Sequence, residues 1–286
     1  MLKDARDYQI AFLSLFLLLG VGMRDWDLTP VMVGTAITTA LVTQGILTAA
    51  VDKSRRIWQL DFWQTFNWRS PLISALGLSL LLRTDHIMTM AIAAGCAIAS
   101  KFAFRTNNKH FFNPANFGII AALVLTQDAW VSPGQWGEEA WYGLIFLGAG
   151  GLVLKRVGRW DTTGMFLGCY SLLEALRNLY LGWTWDVWAH RMMSGSLLLF
   201  ALFMVTDPRS IPDARAARLL WATAIAVVTF VLRNQLYLTT AVFWALFLLA
   251  PLTIVLDGIW RAPRFQWRRG PLEEDNLQHQ SVKALV

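Results

Sequence analysis

The sequence predicts an all-α integral membrane protein with about ten transmembrane helices, and three observations support this class. Of the 286 residues, 56% are hydrophobic and only 15% are charged, whereas a soluble domain averages nearer ~25% charged residues. The apolar residues fall into segments separated by short polar loops, and the basic residues are concentrated in alternate loops. These features exclude an ordinary soluble domain. The net charge of +6 is then an orientation signal of a membrane protein, not a sign of nucleic-acid binding.

The apolar segments have lengths that suit membrane helices. A span of the hydrocarbon core needs about 20 helical residues. We count ten segments: 9–23, 28–51, 71–83, 87–105, 114–127, 139–157, 162–182, 190–206, 214–233 and 237–257. The third and the fifth are short, and short segments in matching places indicate half-helices or broken helices.

The loop charges predict the orientation. With the N-terminus inside the cell, the cytoplasmic loops and the tail are rich in Lys and Arg, whereas the outer loops hold mostly one base each. The outer loop at 128–139 carries Asp128, Glu138 and Glu139 and no base. This bias predicts a multi-pass protein with both termini in the cytoplasm.

A weak internal repeat predicts two halves of opposite orientation. Residues 74–85 resemble 194–207, and both stretches end in Thr-Asp; residues 97–107 resemble 226–235. Five spans per half is an odd number, so the second half is inverted relative to the first, which places a site near the midplane. Chance similarity between leucine-rich helices is the alternative. We expect one transmembrane domain, 1–257, with halves of about 8–127 and 139–257, and a polar cytoplasmic tail, 258–286.

The stretch from Ser100 to Leu125 places basic side chains next to segments that are apolar enough to lie in a membrane. A charged side chain next to hydrocarbon is costly unless it is paired, hydrated or part of a functional site. Lys101 and Arg105 are four residues apart and share a helical face if the helix reaches Arg105. With Lys109 they can hold a phosphate or the carbonyl system of a flavin. Alternatively, these bases are membrane anchors that extend to the lipid headgroups.

Two polar turns are the other candidate site elements. Pro114 suits the first turn of a helix with Asn113 as its N-cap, and the free N–H groups there, with Asn116 nearby, can bind electron-rich atoms. The second turn, Thr206-Asp207-Pro208, ends the eighth segment. Asp207 either caps the next helix or accepts hydrogen bonds from a ligand imide.

The sequence gives little support for a phosphate loop, a metal site or a catalytic nucleophile. The sequence has no Gly-rich phosphate loop, HExxH, CxxC or nucleophile elbow, and its four His are scattered, so no metal site is expected. Cys96 and Cys169 lie in apolar segments as small buried residues; the alternative is an iron–sulfur cluster shared between chains. Glu174 and Arg177 are expected to neutralise each other.

Two motifs carry a family resemblance. FNPANFG (112–118) and FMVTDPRSIPDAR (203–215) resemble the NPA-x-x-G and F-M-x-T-D-P elements of the NqrB/RnfD family. Its members are the membrane flavin subunits of the sodium-pumping NADH:quinone reductase and of the Rnf complex. Three runs, KHFFNPANFG, DAWVSPGQWG and TDPRSIPDAR, resemble more closely the stand-alone relatives labelled UnbU, found in enediyne biosynthesis loci and elsewhere.

The resemblance implies a fold similar to that of urea transporters, with ten helices in an inverted repeat. It also implies FMN attached to a Thr in an S/T-G-A-T motif and, in some members, a second flavin or a quinone. Residues 128–143 read DAWVSPGQWGEEAWYG, and Thr162-Thr163-Gly164 does not match the motif either. The expected cofactor is therefore a noncovalently held flavin, FMN or riboflavin; a quinone or another planar ligand is the alternative.

The first functional hypothesis is an electron-transfer subunit of the bacterial inner membrane that needs redox partner proteins or a quinone. The protein would orient a cofactor that supplies the chemistry. The predicted cofactor-binding residues are Lys101, Arg105, Asn113, Pro114, Asn116, Thr206 and Asp207, with no catalytic side chain. The alternatives are a small-solute channel with the same fold and a membrane accessory protein of a biosynthetic pathway.

Overall fold

The structure of the protein is a computed structural model, and it describes residues 4–23, 29–51, 66–132, 148, 150–155, 157–265 and 267. Most of these residues are helical. The predicted outer loop at 128–139 lies partly outside the described residues. Most of the polar tail lies outside them as well.

In the part of the first half that the structure describes, there are five helices and two short strand pairs. The helices are α1 (Ala5–Met23), α2 (Pro30–Val51), α3 (Arg69–Leu81), α4 (Ile87–Ala103) and α5 (Pro114–Leu125). The strands are β1 (Leu82–Thr84), β2 (Arg105–Thr106), β3 (Lys109–His110) and β4 (Ala129–Val131). Antiparallel pairs form between β1 and β4 and between β2 and β3.

The second half begins with a helical stretch at 150–155 and continues through further helices, two pairs of which are bent. They are α6 (Trp160–Leu181), α7 (Trp185–Met192), α8 (Gly195–Leu199) with a π-helix (Phe200–Met204), α9 (Arg215–Asn234), α10 (Ala241–Leu249) and α11 (Leu252–Ile259). The chain bends by 50° between α7 and α8 and by 48° between α10 and α11.

The helices confirm the all-α membrane class. Nine of the ten predicted segments coincide with a helix or a bent pair, and most of the sixth, 139–157, lies outside the described residues. In the part of the chain that the structure describes, three helices are long and apolar enough to cross a membrane, or five if each bent pair counts as one span. Ten spans therefore stay a prediction.

The start of α5 folds as its sequence predicts. Asn113 is the N-cap, and its side-chain oxygen accepts a hydrogen bond from the Asn116 N–H at 3.0 Å, with Pro114 in the first turn. Four residues into the helix, a β-carbon at Gly118 would lie only 2.5 Å from the Ala93 carbonyl oxygen of α4. The last position of NPA-x-x-G thus allows α4 and α5 to pack backbone to backbone, as small residues do between membrane helices.

The loop before α5 is a tight hairpin. Asn107 and Asn108 join β2 to β3 with φ angles of 52° and 64°, and a two-residue hairpin with positive φ at both positions favours Asn. A cluster of aromatic rings with centroids about 5–6 Å apart packs behind it: Phe104, Phe111, Phe112, Phe117 and Phe247. This packing fixes the hairpin against α5 and α10.

A carboxylate holds the other strand pair. Asp128, just before β4, accepts hydrogen bonds from the Thr89 hydroxyl at 2.8 Å and from the His86 N–H at 3.0 Å. These bonds tie the start of α4 to the β1–β4 pair. They lie at the end of α3 opposite to Ser70, where β1 begins.

Candidate functional site

A cavity of about 240 Å³ lies between α3 and the segment formed by α8 and the π-helix. These elements overlap the third and eighth predicted segments, 71–83 and 190–206. The weak internal repeat pairs these two segments as counterparts. The π-helix forms part of the wall through Leu202, Phe203 and Met204, and the N–H of Val205 bonds the Phe200 carbonyl five residues back. Single π-turns of this kind are frequent at functional sites.

Six of the seven predicted site residues line this cavity: Lys101, Arg105, Asn113, Pro114, Thr206 and Asp207. They come from the end of α4, the start of β2, the start of α5 and the turn after the π-helix. The seventh, Asn116, is not among the described residues that line it.

Lys101 is buried in the cavity wall, with 7% of its surface exposed. Its ammonium donates to the Gln44 side-chain oxygen and to the Ser70 hydroxyl, both at 2.9 Å. An ammonium has three N–H donors, so one remains beyond the two that these described neighbours accept. The hydrogen-bond partners that the structure describes for this buried amine are neutral side chains, which favours a ligand with an electron-rich or anionic group.

Arg105 lies close to Lys101, although not for the predicted reason. The prediction that α4 continues to Arg105 is wrong, because the helix ends at Ala103 and Arg105 begins β2. Its guanidinium donates to the Lys101 carbonyl and lies 4.5 Å from the centre of the Phe102 ring. The short strand therefore brings the Arg105 side chain back over the last turn of α4.

The two asparagines of the NPAN turn fasten the first half of the chain to the second. The Asn113 amide donates to the Met204 carbonyl at 3.2 Å, and the Asn116 amide donates to the Phe243 carbonyl at 3.1 Å. The Asn116 side-chain oxygen is buried without a hydrogen-bond partner among the described residues. In this geometry Asn113 has both a capping role and a place in the cavity wall, and Asn116 joins α5 to α10.

The turn after the π-helix forms the other side of the cavity. The Thr206 hydroxyl donates to the Leu202 carbonyl at 2.7 Å. Asp207 accepts hydrogen bonds from the Arg209 N–H at 3.2 Å and the Ser210 hydroxyl at 3.1 Å, and lies 3.8 Å from His110. Asp207 thus organises its own turn, well before the start of α9.

Asp207 is held in its charged form by these neighbours. Burial by itself would raise the pKa of this carboxyl, but the nearby His110 and the bonds from Arg209 and Ser210 outweigh burial and keep the pKa below its usual value. The turn therefore presents a carboxylate to the cavity at neutral pH.

Sequence reasoning missed several residues of the cavity wall, among them Gln44, Ser70 and Arg209. Gln44 had a usable signal, because it is a polar residue in the middle of the second apolar segment, and such residues are a functional hint in membrane helices. The others depend on how distant segments pack, which no local pattern shows.

Two further expectations are corrected by the structure. Lys109 does not join Lys101 and Arg105; its ammonium donates to Asp213 at 3.0 Å and to Asp257 at 2.6 Å, outside this cavity. Its role is to clamp the β2–β3 hairpin to α11 and to the loop before α9.

The expected pairing of Glu174 with Arg177 is wrong as well. Glu174 is buried and forms its ion pair with Arg191 at 2.7 Å, and its other oxygen accepts from Asn234 at 2.9 Å. Arg177 lies 4.6 Å from the centre of the Trp183 ring. The turn at 182–184 between α6 and α7 brings Arg191 within reach of Glu174.

The remaining candidates of the sequence stand apart from the cavity. The Thr163 hydroxyl donates to the Ala201 carbonyl at 2.7 Å, and Thr162 is fully buried. Cys96 and Cys169 are half-buried free thiols on different helices. Among the residues that the structure describes, no three His, Cys, Asp or Glu side chains are grouped as metal ligands.

Comparison with known proteins gives one family. The sequence model of the NQR2, RnfD, RnfE family matches residues 125–266, which include α6 to α11 and the Thr206-Asp207 turn.

Curated relatives agree with this match, and each is named as one subunit of an ion-translocating oxidoreductase complex. The protein from Stutzerimonas stutzeri is 30% identical over 175 residues, which are 59% of this chain and 49% of that protein. Its counterpart in Vibrio vulnificus is 32% identical over 127 residues, 43% of this chain and 35% of that protein. The counterpart in Halorhodospira halophila is 27% identical over 135 residues, 46% of this chain and 38% of that protein. The chain spans about half the length, or less, of these relatives.

Proposed function

The chain belongs to the NQR2, RnfD, RnfE family, and from this premise we propose that it is a membrane electron-transfer subunit that holds a noncovalent flavin in the cavity between α3 and the π-helix. The observation that carries the proposal is the composition of the cavity. One part is apolar, lined by Leu13, Ile73, Leu80, Leu199 and Phe203, and the other part is polar and basic. A planar ring system with polar edges is the kind of ligand that such a mixed wall accepts.

The residues present fit a flavin in their donor and acceptor types. Lys101 offers a buried ammonium, which stabilises negative charge on the ring, and Asp207 offers a carboxylate to an imide N–H. Asn113 and Thr206 also line the cavity, each with its side chain bonded to a backbone carbonyl. A bound flavin supplies electron-transfer chemistry; the side chains bind it, orient it and keep bulk water from its apolar part.

The lack of the S/T-G-A-T motif supports noncovalent binding. Thr163, in the nearest Thr-rich stretch, uses its hydroxyl in a buried bond to the Ala201 carbonyl, so this hydroxyl is not presented to the cavity. Thr206 does line the cavity, and its hydroxyl donates to the Leu202 carbonyl.

The proposal extends to the setting of the protein. We place it in the bacterial inner membrane with both termini in the cytoplasm, ten spans and two inverted halves similar in fold to urea transporters. Two short helical segments, α3 and the one formed by α8 and the π-helix, face each other across the cavity and support this arrangement. The relatives are named as subunits of ion-translocating oxidoreductase complexes, and we accordingly propose other subunits of such a complex, or a quinone, as redox partners.

A cavity-filling substitution tests the location of the site. Ser74 lines the cavity, and its hydroxyl donates to the Ser70 carbonyl at 3.2 Å. We expect Ser74→Leu to abolish the binding of added flavin, followed as quenching of flavin fluorescence by the detergent-purified protein. The leucine would occupy the apolar part of the cavity.

The matched control is Thr223→Leu. The Thr223 hydroxyl makes the same kind of bond, to the Leu219 carbonyl at 2.9 Å, and Thr223 lies on α9 away from the cavity. Both variants should keep the thermal unfolding midpoint of the parent. Equal flavin binding by the parent and Ser74→Leu would contradict the proposed location.

A further inference from the structure

The mouth of the cavity carries more positive charge than the fold neutralises. The charged side chains in its wall are Arg6, Lys101, Arg105, Arg209 and Asp207, together with His110. Arg6 is neutralised by Asp4 at 2.5 Å. Within the described residues, Arg105, Arg209 and the buried amine of Lys101 thus share the wall with the single carboxylate of Asp207.

That carboxylate is already engaged. Asp207 accepts bonds from Ser210 and from the backbone of Arg209, and lies close to His110. The side chains of Arg105 and Arg209 are exposed at the opening, whereas Lys101 is buried deeper in the wall.

Arg105 and Arg209 act on each other as like charges. Burial and, next, the charge of Arg209 lower the pKa of the Arg105 guanidinium. Two guanidinium groups that share one opening repel each other unless an anion lies between them. A phosphate group, with ≈ −1.5 to −2 charges and three acceptor oxygens, matches two guanidinium groups in charge and offers acceptors for their N–H donors.

The size of the cavity also indicates that a ligand would reach its opening. At about 240 Å³ it lies below the ~300–1,000 Å³ common for pockets that enclose a small-molecule ligand. A larger ligand that fills the apolar part must therefore extend through the opening, where Arg105 and Arg209 lie.

We propose that Arg105 and Arg209 form an anion subsite that binds a terminal phosphomonoester of the ligand, with its ring system in the apolar part of the cavity. This inference rests on the proposed flavin function, and it selects FMN over riboflavin and over an uncharged quinone. The phosphate is then held at the mouth by ionic bonds, without a covalent link.

The test compares FMN and riboflavin on the full chain, purified in a neutral detergent so that no anionic lipid headgroup is added. Dissociation constants come from flavin fluorescence quenching. We expect FMN to bind at least about tenfold more tightly than riboflavin, a ratio that corresponds to ~1.4 kcal/mol. Added salt and excess inorganic phosphate should weaken FMN binding and leave riboflavin binding unchanged.

Substitution assigns the effect to the mouth. Arg209→Gln should weaken FMN binding about tenfold and leave riboflavin binding unchanged. The control is Arg215→Gln: Arg215 is 69% exposed, pairs with Asp161 at 3.2 Å and is outside the cavity wall, so this change should alter neither constant.

The outcomes separate the two proposals. Equal binding of FMN and riboflavin by the parent, or an unchanged FMN constant in Arg209→Gln, would overturn the anion subsite and leave the flavin function standing. Binding of neither flavin would overturn the proposed function and the subsite with it.

Discussion

The close contact between α4 and α5 leads to a prediction with an internal control. In Gly118→Ala the new β-carbon would lie 2.5 Å from the Ala93 carbonyl oxygen and 2.9 Å from the Ala97 β-carbon. Ordinary contacts between such atoms are ~3.5–4.0 Å, so the two helices would have to separate by about 1 Å. In Gly77→Ala, on α3, the new atom would lie 3.6 Å from the Ala115 β-carbon, an ordinary contact.

The two substitutions should therefore have effects of opposite sign. Replacing Gly by Ala inside a helix gains roughly 0.8–1.0 kcal/mol of helix propensity. At Gly77 this gain meets no steric opposition. At Gly118 it is opposed by overpacking, which costs typically ~1–3 kcal/mol. Because one clashing atom belongs to the backbone, we take the upper part of that range and expect a net loss of about 1–2 kcal/mol.

The assay is unfolding of the detergent-solubilised protein by a denaturing detergent, followed by tryptophan fluorescence. Gly118→Ala should lower the free energy of unfolding and Gly77→Ala should keep or raise it. An equal effect of the two substitutions would refute the close approach of α4 and α5 on which the position of the NPAN turn depends.

Three more predictions concern single polar groups. Asn113→Ala should lower the free energy of unfolding by about 2 kcal/mol, because it removes an N-cap and the amide's bond to the Met204 carbonyl; Asn113→Ser, which keeps a capping side chain, should lose less in the same denaturation assay. Glu174→Ala should cost about 3 kcal/mol by leaving Arg191 without its anion, Glu174→Gln clearly less, and equal losses would contradict the ion pair. Desolvation raises the pKa of the Asp128 carboxyl, but hydrogen bonds, first from Thr89, outweigh it and lower this pKa to about 2. The stability from Asp128 is thus complete above the ordinary carboxyl pKa and is lost as the pH falls through about 2. Between about pH 4 and pH 2 the thermal midpoint should fall less steeply in Asp128→Asn than in the parent.

Local sequence patterns predicted the secondary structure well. Hydrophobic segment lengths located most helices, and the Asn-Pro pair located the start of α5, because these features are set within one or two helical turns. The ends of helices were predicted less accurately. The helix α4 stops two residues before Arg105, because the chain there enters a hairpin with positive φ at two asparagines.

The site was only partly predictable. Charged and turn-forming residues at the segment ends identified six of the lining residues, since charge near hydrocarbon is itself a signal. Gln44, Ser70 and Arg209 line the cavity because α2, α3 and the second half pack around Lys101, and such contacts join residues far apart in the chain. For the same reason the partners of Lys109 and Glu174 could not be chosen from sequence: each lies on an element whose approach depends on a hairpin or a bend.

The visible absorption spectrum of the purified protein tests the central claim most directly, before and after acid denaturation. A band near ~450 nm that acid releases into the supernatant is the result we predict, because a noncovalent flavin leaves the unfolded chain. A band that remains with the precipitated protein would contradict noncovalent binding. A colourless protein that stays colourless after incubation with FMN and riboflavin would contradict the flavin site itself.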